Sequence, residues 1–138
     1  MTRVFLDTNI VMDLLTNREP FSEDASRIFS LSERGEIKLF VSGLTIATTY
    51  YLVGKHTTKP IARKIVKDFR LLVSISETNS QSVDLTLGDV GFSDFEDGLQ
   101  YYSAISSSCD IIITRDKKDF KNSKLPVMNP GQFLASIK

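Results

Sequence analysis

Four aspartates stand where their side chains could bind a divalent cation together. Asp7 directly follows the apolar run RVFL, and Asp116 follows the run IIIT after one intervening residue. Asp94 and Asp97 lie three residues apart at the start of a predicted helix and share one of its faces, whereas Glu96 is expected to point away from both. Carboxylates without a cluster of histidine or cysteine form an all-oxygen site that suits Mg²⁺ or Mn²⁺.

Such a cluster predicts metal-dependent hydrolysis. Two like charges about 4 Å apart repel each other by roughly 4 kcal/mol at an effective dielectric constant of 20. The acids therefore raise one another's pKa until a cation neutralises them. A bound divalent ion lowers the pKa of its water and stabilises charge on a phosphodiester, which is the chemistry of hydrolytic nucleases.

Each acid also has a purely structural interpretation. Acids in a first helical turn complement the helix dipole, and Ser93-x-x-Glu96 has the spacing of a capping box. Asp7 could cap the helix that follows it, and Asp116 and Asp119 could be turn residues, Asp119 more readily than Asp116. No single acid decides between the two interpretations, so the prediction depends on the whole set.

The acids can meet only if the strands before them are neighbours. Because one or two predicted helices separate consecutive strands, the strands must pair in parallel through right-handed crossovers. We predict one α/β domain over residues 1–138, a three-layer α/β/α sandwich with its site beyond the carboxyl ends of the strands. The predicted strands are 3–6, 37–41, 71–75, 111–114 and 126–128, and the predicted helices are 10–15, 21–34 (ended by Gly35), 44–53, 60–69, 80–87, 94–107 and 132–137.

The overall charge excludes a uniformly basic nucleic-acid-binding coat. Seventeen basic and seventeen acidic residues cancel, so any nucleic-acid contact must come from a local patch. The single cysteine, Cys109, cannot form an internal disulfide. The apolar part of the N-terminus is too short for a signal peptide, and no apolar run reaches membrane-spanning length. We therefore expect a cytoplasmic protein that does not contact a membrane.

One predicted helix carries a basic stripe. Lys59, Arg63 and Lys67 recur every four residues, with Arg70 continuing the same face, opposite an apolar face. The stripe is either a solvated outer surface or a surface that contacts RNA phosphates. Arg115, next to Asp116, either contacts the scissile phosphate or forms a structural ion pair. The sequence leaves both alternatives open.

Several segments together resemble the PIN domain family and appear in that family's order: VFLDTN at 4–9, SGLTIA at 42–47, FEDGLQ at 95–100 and ITRD at 113–116, followed by Asp119-Phe120. The resemblance implies a five-stranded parallel sheet, a divalent metal ion and endonucleolytic cleavage of RNA. It also implies the toxin of a toxin–antitoxin pair, with a small antitoxin as partner and a homodimer. The residues that it assigns are Asp7, Asp97 and Asp116 as metal ligands, Thr8, Asn9 and Thr114 as supporting hydrogen-bonding residues, and Asp94 as an acid that some members share.

The chain departs from the family pattern at one position. PIN nucleases usually have a glutamate where this chain reads Ala47-Thr48-Thr49-Tyr50, with Thr48 at the matching position. A threonine hydroxyl can orient water but supplies no charge to a cation. We hypothesise that Asp94 compensates. The alternative function is a catalytically weak or inactive PIN-like module that binds RNA or a protein partner; an aspartyl phosphotransferase is disfavoured, because haloacid dehalogenase-like phosphatases would have an aspartate in place of Asn9.

Overall fold

The structure, a computed structural model, describes residues 1–137. This part of the chain contains five strands, seven α-helices and one 3-10 helix. Not one of these helices has both the length and the apolar character that a membrane crossing requires. The strands are β1 (Thr2–Leu6), β2 (Ile37–Ser42), β3 (Ser74–Ser76), β4 (Ile111–Ile113) and β5 (Val127–Met128). The helices are α1 (Thr8–Leu15), α2 (Ser22–Glu33), α3 (Gly43–His56), α4 (Lys59–Arg70), α5 (Ser80–Leu87), α6 (Phe95–Ser106) and α7 (Pro130–Ser136), with the 3-10 helix at Lys117–Phe120.

The strands form one parallel sheet in the order β3-β2-β1-β4-β5. Successive strand residues point to opposite faces. Val4 and Leu6 therefore pack against residues of α1, α2 and α7 on one face. Phe5 and Ile112 pack with residues of α6 on the other face. The predicted three-layer α/β/α sandwich with a five-stranded parallel sheet is confirmed.

The strand order places a topological switch point between β1 and β4. The chain runs outward from β1 through β2 to β3 and then crosses back to β4 on the other side of β1. Leu6 is in register with Ile113, and the backbone N–H of Asp7 donates to the Ile113 carbonyl at 3.0 Å. The residues that follow β1 and β4 thus emerge side by side, where open α/β sheets place their ligand sites.

The prediction of the third strand was wrong at its start. The apolar pair at 71–72 favours a strand from residue 71, but Leu71 is the C-cap of α4 and is 84% exposed. The guanidinium of Arg70 donates to the Val73 carbonyl at 2.8 Å and closes this turn. β3 begins only at Ser74. Gly35 has a φ of +75° just after α2, as expected of a residue that ends a helix.

Gly98 lies where α6 packs against Thr86 of α5 and against Phe92. A Cβ at this position would lie 2.7 Å from Cγ2 of Thr86 and 3.3 Å from Cβ of Phe92. We predict that Gly98→Ala lowers the free energy of unfolding by about 1–3 kcal/mol through overpacking. Gly54→Ala is the control, because its Cβ would meet only the Cβ of Ala62 at an ordinary 3.8 Å.

Urea unfolding of the two variants measures this difference. Gly54→Ala is expected to be neutral or more stable by up to about 1 kcal/mol, since alanine is the better helix former. Equal stabilities of the two variants would show that the α5–α6 interface accommodates the added methyl group without loss of stability.

Candidate active site

A cavity of about 230 Å³ opens at the carboxyl ends of β1 and β4. Half of its lining residues carry a carboxylate, and none of them is a lysine or arginine, among the residues that the structure describes. The acids are Asp7, Glu96, Asp97, Asp116 and Asp119, and the other lining residues are Thr8, Asn9, Leu44, Thr48 and Gln100. The cavity is therefore strongly acidic.

Asp7 is the buried acid of the cavity, only 9% exposed. It is the N-cap of α1, and its carboxylate accepts a hydrogen bond from the backbone N–H of Thr8 at 2.8 Å. The hydroxyl of Thr114 donates to its other oxygen at 2.7 Å. Burial raises the pKa of Asp7, and Asp116 and Asp119 raise it further, although both hydrogen bonds oppose the shift.

Asp97 lies in the first turn of α6 and is half-buried. Burial and the neighbouring charges of Asp94, Asp119 and Asp7, in that order, raise the pKa of Asp97 to about 7. Acids on three separate elements thus act on one carboxyl group. This mutual repulsion is what a bound cation relieves.

Hydrogen bonds fix the loop that carries Asp116. The side-chain amide of Asn9 donates to the Asp116 carboxylate at 3.3 Å and to the Thr114 hydroxyl at 3.4 Å. The same hydroxyl accepts from the backbone N–H of Asp116 at 3.0 Å. The structure therefore brings Thr8, Asn9 and Thr114 into contact with two of the predicted metal-binding acids.

The structure places Asp94 differently from the other three predicted acids. Asp94 is the N-cap of α6 and accepts from the backbone N–H of Asp97 at 3.2 Å; it is exposed and does not line the cavity. Its charge still raises the pKa of Asp97. Metal binding by Asp94 stays a prediction.

Two acids that the sequence interpretation set aside line the cavity. Glu96 was expected to point away from Asp97, but both residues line the same cavity at the start of α6. Asp119 lies in the 3-10 helix, three residues after its N-cap Asp116, and both acids line the cavity. The spacing Asp116-x-x-Asp119 was the signal that could have identified Asp119.

The wall opposite these acids is neutral. Leu44 and Thr48, one turn apart on α3, line the cavity and carry no charge. Below it, the buried amide of Gln100 donates to the hydroxyls of Thr45 at 3.0 Å and Thr8 at 3.4 Å and accepts from Ser42. This network joins α1, α3 and α6, and the sequence interpretation did not find it.

Arg115 forms a structural ion pair, which was one of the two roles that the sequence left open for it. Its Nε lies 2.7 Å and its Nη2 3.1 Å from the two carboxylate oxygens of the fully buried Asp13. Its guanidinium also stacks over the ring of Phe21 at 3.9 Å. Contact between Arg115 and RNA stays a prediction.

The basic stripe of α4 lies apart from the cavity. Lys59, Arg63 and Lys67 are exposed, and none of them lines the cavity. The guanidinium of Arg63 lies 5.7 Å from the ring centre of Tyr50 on α3. The contact of these three residues with RNA also stays a prediction.

The cavity supplies only oxygen donors, which are the ligands of hard cations such as Mg²⁺ and Mn²⁺. The carboxylates surround the space without converging on one point. Within residues 1–137, no three histidine, cysteine, aspartate or glutamate side chains are close enough to hold an ion by themselves. Mg²⁺ usually keeps several waters and takes only one or two carboxylates directly. The donor set fits such a partly hydrated ion.

A parallel sheet with helices on both faces and an acidic cavity at its switch point is the arrangement of a doubly wound α/β domain. The family model described as "PIN domain" matches residues 3–118 of the chain. The chain therefore belongs to the PIN domain family. That family is generally divalent-metal dependent.

Individual relatives are similar over nearly the whole chain. Ribonuclease VapC1 of Aquifex aeolicus (strain VF5) is 27% identical, with 95% of this chain and 92% of the relative aligned. The DNA-bound VapBC structure from Salmonella typhimurium is similar with a TM-score of 0.73 at 16% identity, covering 94% of this chain and 99% of that one. A toxin–antitoxin complex from Klebsiella pneumoniae has a TM-score of 0.67 at 21% identity, covering 92% and 97%.

Proposed function

We propose that this PIN domain is a metal-dependent endoribonuclease that hydrolyses RNA phosphodiester bonds. The observation that carries the proposal is the cavity at the switch point, which five carboxylates line. The similarity to Ribonuclease VapC1 over 95% of the chain supports RNA as the substrate.

Asp7, Asp97 and Asp116 are the proposed holders of Mg²⁺ or Mn²⁺, with Asp94 near them and with Asp119 and Glu96 added by their place in the cavity. When bound, the ion supplies a water of lowered pKa and stabilises charge on the phosphodiester. Thr114 and Thr8 orient the Asp7 carboxylate through their hydrogen bonds, and Asn9 orients Asp116.

The proposed partner is a small antitoxin, which would make this chain the toxin of the pair. The similar fold of the Klebsiella pneumoniae toxin–antitoxin complex supports this proposal. We also propose that the chain forms a homodimer and is cytoplasmic. Light scattering of the purified chain tests the homodimer. Co-expression with the product of a short adjacent reading frame tests the antitoxin partner. A chain that stays monomeric and recovers no partner contradicts the proposed assembly.

Cleavage of mixed RNA by the purified chain tests the proposed activity. Cleavage is expected with Mg²⁺ or Mn²⁺ and should stop with chelator and with Asp7→Asn. Asp84→Asn is the matched control, since Asp84 is exposed on α5 and lies away from the cavity. Activity that survives both chelator and Asp7→Asn would overturn the proposed mechanism.

A second candidate function is a catalytically weak or inactive module that binds RNA or a protein partner. The neutral Thr48 in the cavity wall favours it, because α3 contributes no charge to a cation. RNA binding without metal-dependent cleavage in the same assay would support this second function.

We predict that Asp94 compensates for the neutral Thr48 by strengthening metal binding. Asp94→Ala should weaken Mn²⁺ binding by about 10-fold, the scale of an outer-shell loss. Asp94→Asn separates charge from structure, because asparagine caps a helix as well as aspartate does. Calorimetric titration with Mn²⁺ measures both variants. Affinities equal to that of the unaltered chain would end the compensation hypothesis.

A further inference from the structure

The acidic cavity needs nearby cations before it can receive a polyanion. Five carboxylates line it, and no lysine or arginine of the described residues does. A bound divalent ion offsets only part of this charge. An RNA strand entering the cavity therefore requires basic side chains at its edge, where they can hold phosphates flanking the reacting one.

The 3-10 helix Lys117–Phe120 supplies such side chains next to the acids. The segment after Asp116 reads KKDFKNSK, with four lysines in eight residues. With three residues per turn, side chains three apart share a face. Asp116, the N-cap of this helix, and Asp119 line the cavity, whereas Phe120 is buried, with 1% of its surface exposed. Lys118 lies within the helix and Lys121, three residues later, is its C-cap; both are exposed.

Two neighbouring basic residues, Arg115 and Lys117, already have polar partners. Arg115 binds Asp13, and Lys117 donates to the Gln132 side chain at 3.0 Å. The charge of Lys124 helps to lower the pKa of Asp89, after the larger effects of Tyr102 and Gly91. Within residues 1–137, neither Lys118 nor Lys121 makes a side-chain hydrogen bond or ion pair.

The basic stripe of α4 is less well placed. No residue of α4 lines the cavity. The helix packs mainly against α3, where Ala62 joins Val53 and Met12 in a small apolar cluster. By contrast, Lys118 lies in the sequence between two residues that line the cavity.

From this placement we infer that Lys118 and Lys121 form a phosphate-binding pair that holds the RNA backbone at the edge of the cavity. The inference rests on the proposed ribonuclease function and names the surface that its substrate contacts. Phosphate contacts position a strand without reading its sequence. The pair therefore contributes affinity and salt dependence to RNA binding, while the choice of cleavage site is set elsewhere.

The salt dependence of RNA binding tests this inference. The background is the full chain with Asp7→Asn in Mg²⁺, so that a short fluorescein-labelled single-stranded RNA of mixed sequence stays intact during anisotropy titrations at several KCl concentrations. In the double variant Lys118→Gln/Lys121→Gln, the slope of log affinity against log salt should become shallower by about 1.4, since each phosphate contact on a single strand contributes roughly 0.7.

Three further double variants serve as controls. Lys118→Arg/Lys121→Arg keeps the charge and should keep the slope. Lys55→Gln/Lys64→Gln makes the same change in net charge on exposed lysines away from the cavity and should leave the slope unchanged. A slope loss in Lys59→Gln/Lys67→Gln that exceeds the loss in Lys118→Gln/Lys121→Gln would assign the contact to α4 and overturn the inference.

The inference is also overturned if the slope in Lys118→Gln/Lys121→Gln is unchanged or does not differ from that of the Lys55→Gln/Lys64→Gln control. Cleavage by the unaltered chain, measured in parallel, separates this outcome from failure of the proposed function. Cleavage with an unchanged slope rejects only the lysine pair. Absence of both RNA binding and cleavage rejects the ribonuclease proposal and the inference together.

Discussion

Asp97→Asn is expected to abolish RNA cleavage and at the same time to stabilise the metal-free protein. Activity should fall by more than about 100-fold, because even outer-shell partners of a metal typically contribute 10–100-fold. Stability should rise because the substitution removes a half-buried carboxylate whose ionisation is opposed by burial and by the charges of Asp94 and Asp119.

The pH dependence of stability follows from the same shift. The pKa of Asp97 is about 7 in the folded chain, whereas an unfolded aspartate titrates near pH 3.9. Between these values the folded chain binds more protons, so its stability falls as the pH rises. The destabilising effect of ionised Asp97 is absent below about pH 4 and complete above about pH 7.

Thermal unfolding in chelator measures this effect. The unaltered chain should lose stability from pH 5 to pH 8, and Asp97→Asn should lose less. Adding Mg²⁺ at pH 8 should stabilise the unaltered chain more than the variant, because the ion offsets the repulsion among the acids. Asp84 lies outside the cavity, so the control Asp84→Asn should match the unaltered chain at pH 5, at pH 8 and at pH 8 with Mg²⁺. A variant less stable than the unaltered chain at pH 8 would contradict this account.

Asp13→Ala is expected to be the most destabilising substitution outside the apolar core. Asp13 is fully buried and binds Arg115 through both carboxylate oxygens, with Arg18 3.6 Å away. Removing one partner of a buried ion pair leaves the other charge without compensation, which costs about 3–5 kcal/mol. For a domain of this size, that loss lowers the melting temperature by roughly 10–20 °C.

The matched control is Glu23→Ala, which removes an ion pair of similar length on the surface. Glu23 and Arg27 lie 2.9 Å apart, but both side chains are more than 60% exposed. Such pairs contribute at most about 1 kcal/mol. Similar melting temperatures for Asp13→Ala and Glu23→Ala would show that the Asp13–Arg115 pair does not stabilise the fold.

The same pair connects stability to the site. Arg115 directly precedes Asp116, so its bond to Asp13 anchors the start of the loop that carries this acid. In Asp13→Ala, measured at a temperature where the chain is folded, we expect kcat to fall more than KM rises. The double variant Asp13→Leu/Arg115→Met, which replaces both charges, should recover part of the stability but not the activity.

Much of this architecture is contained in local sequence patterns. Alternating or continuous apolar runs predict strands, and runs with a period near four predict helices, because both depend on neighbours a few residues apart. The run RVFL therefore predicts β1, and its position predicts that Asp7 stands at a strand end. The need for parallel crossovers then brings Asp7 and Asp116 to one edge of the sheet, where the structure has both.

The tertiary structure decided which other side chains share that edge. Glu96 lines the cavity because α6 docks with the start of the helix toward it, a contact that no local period specifies. Asp13 and Arg115 are 102 residues apart, and Gln100 meets Thr45 across 55. Contacts over such separations depend on strand order and helix docking, so the sequence determined the elements and the packing determined the composition of the site.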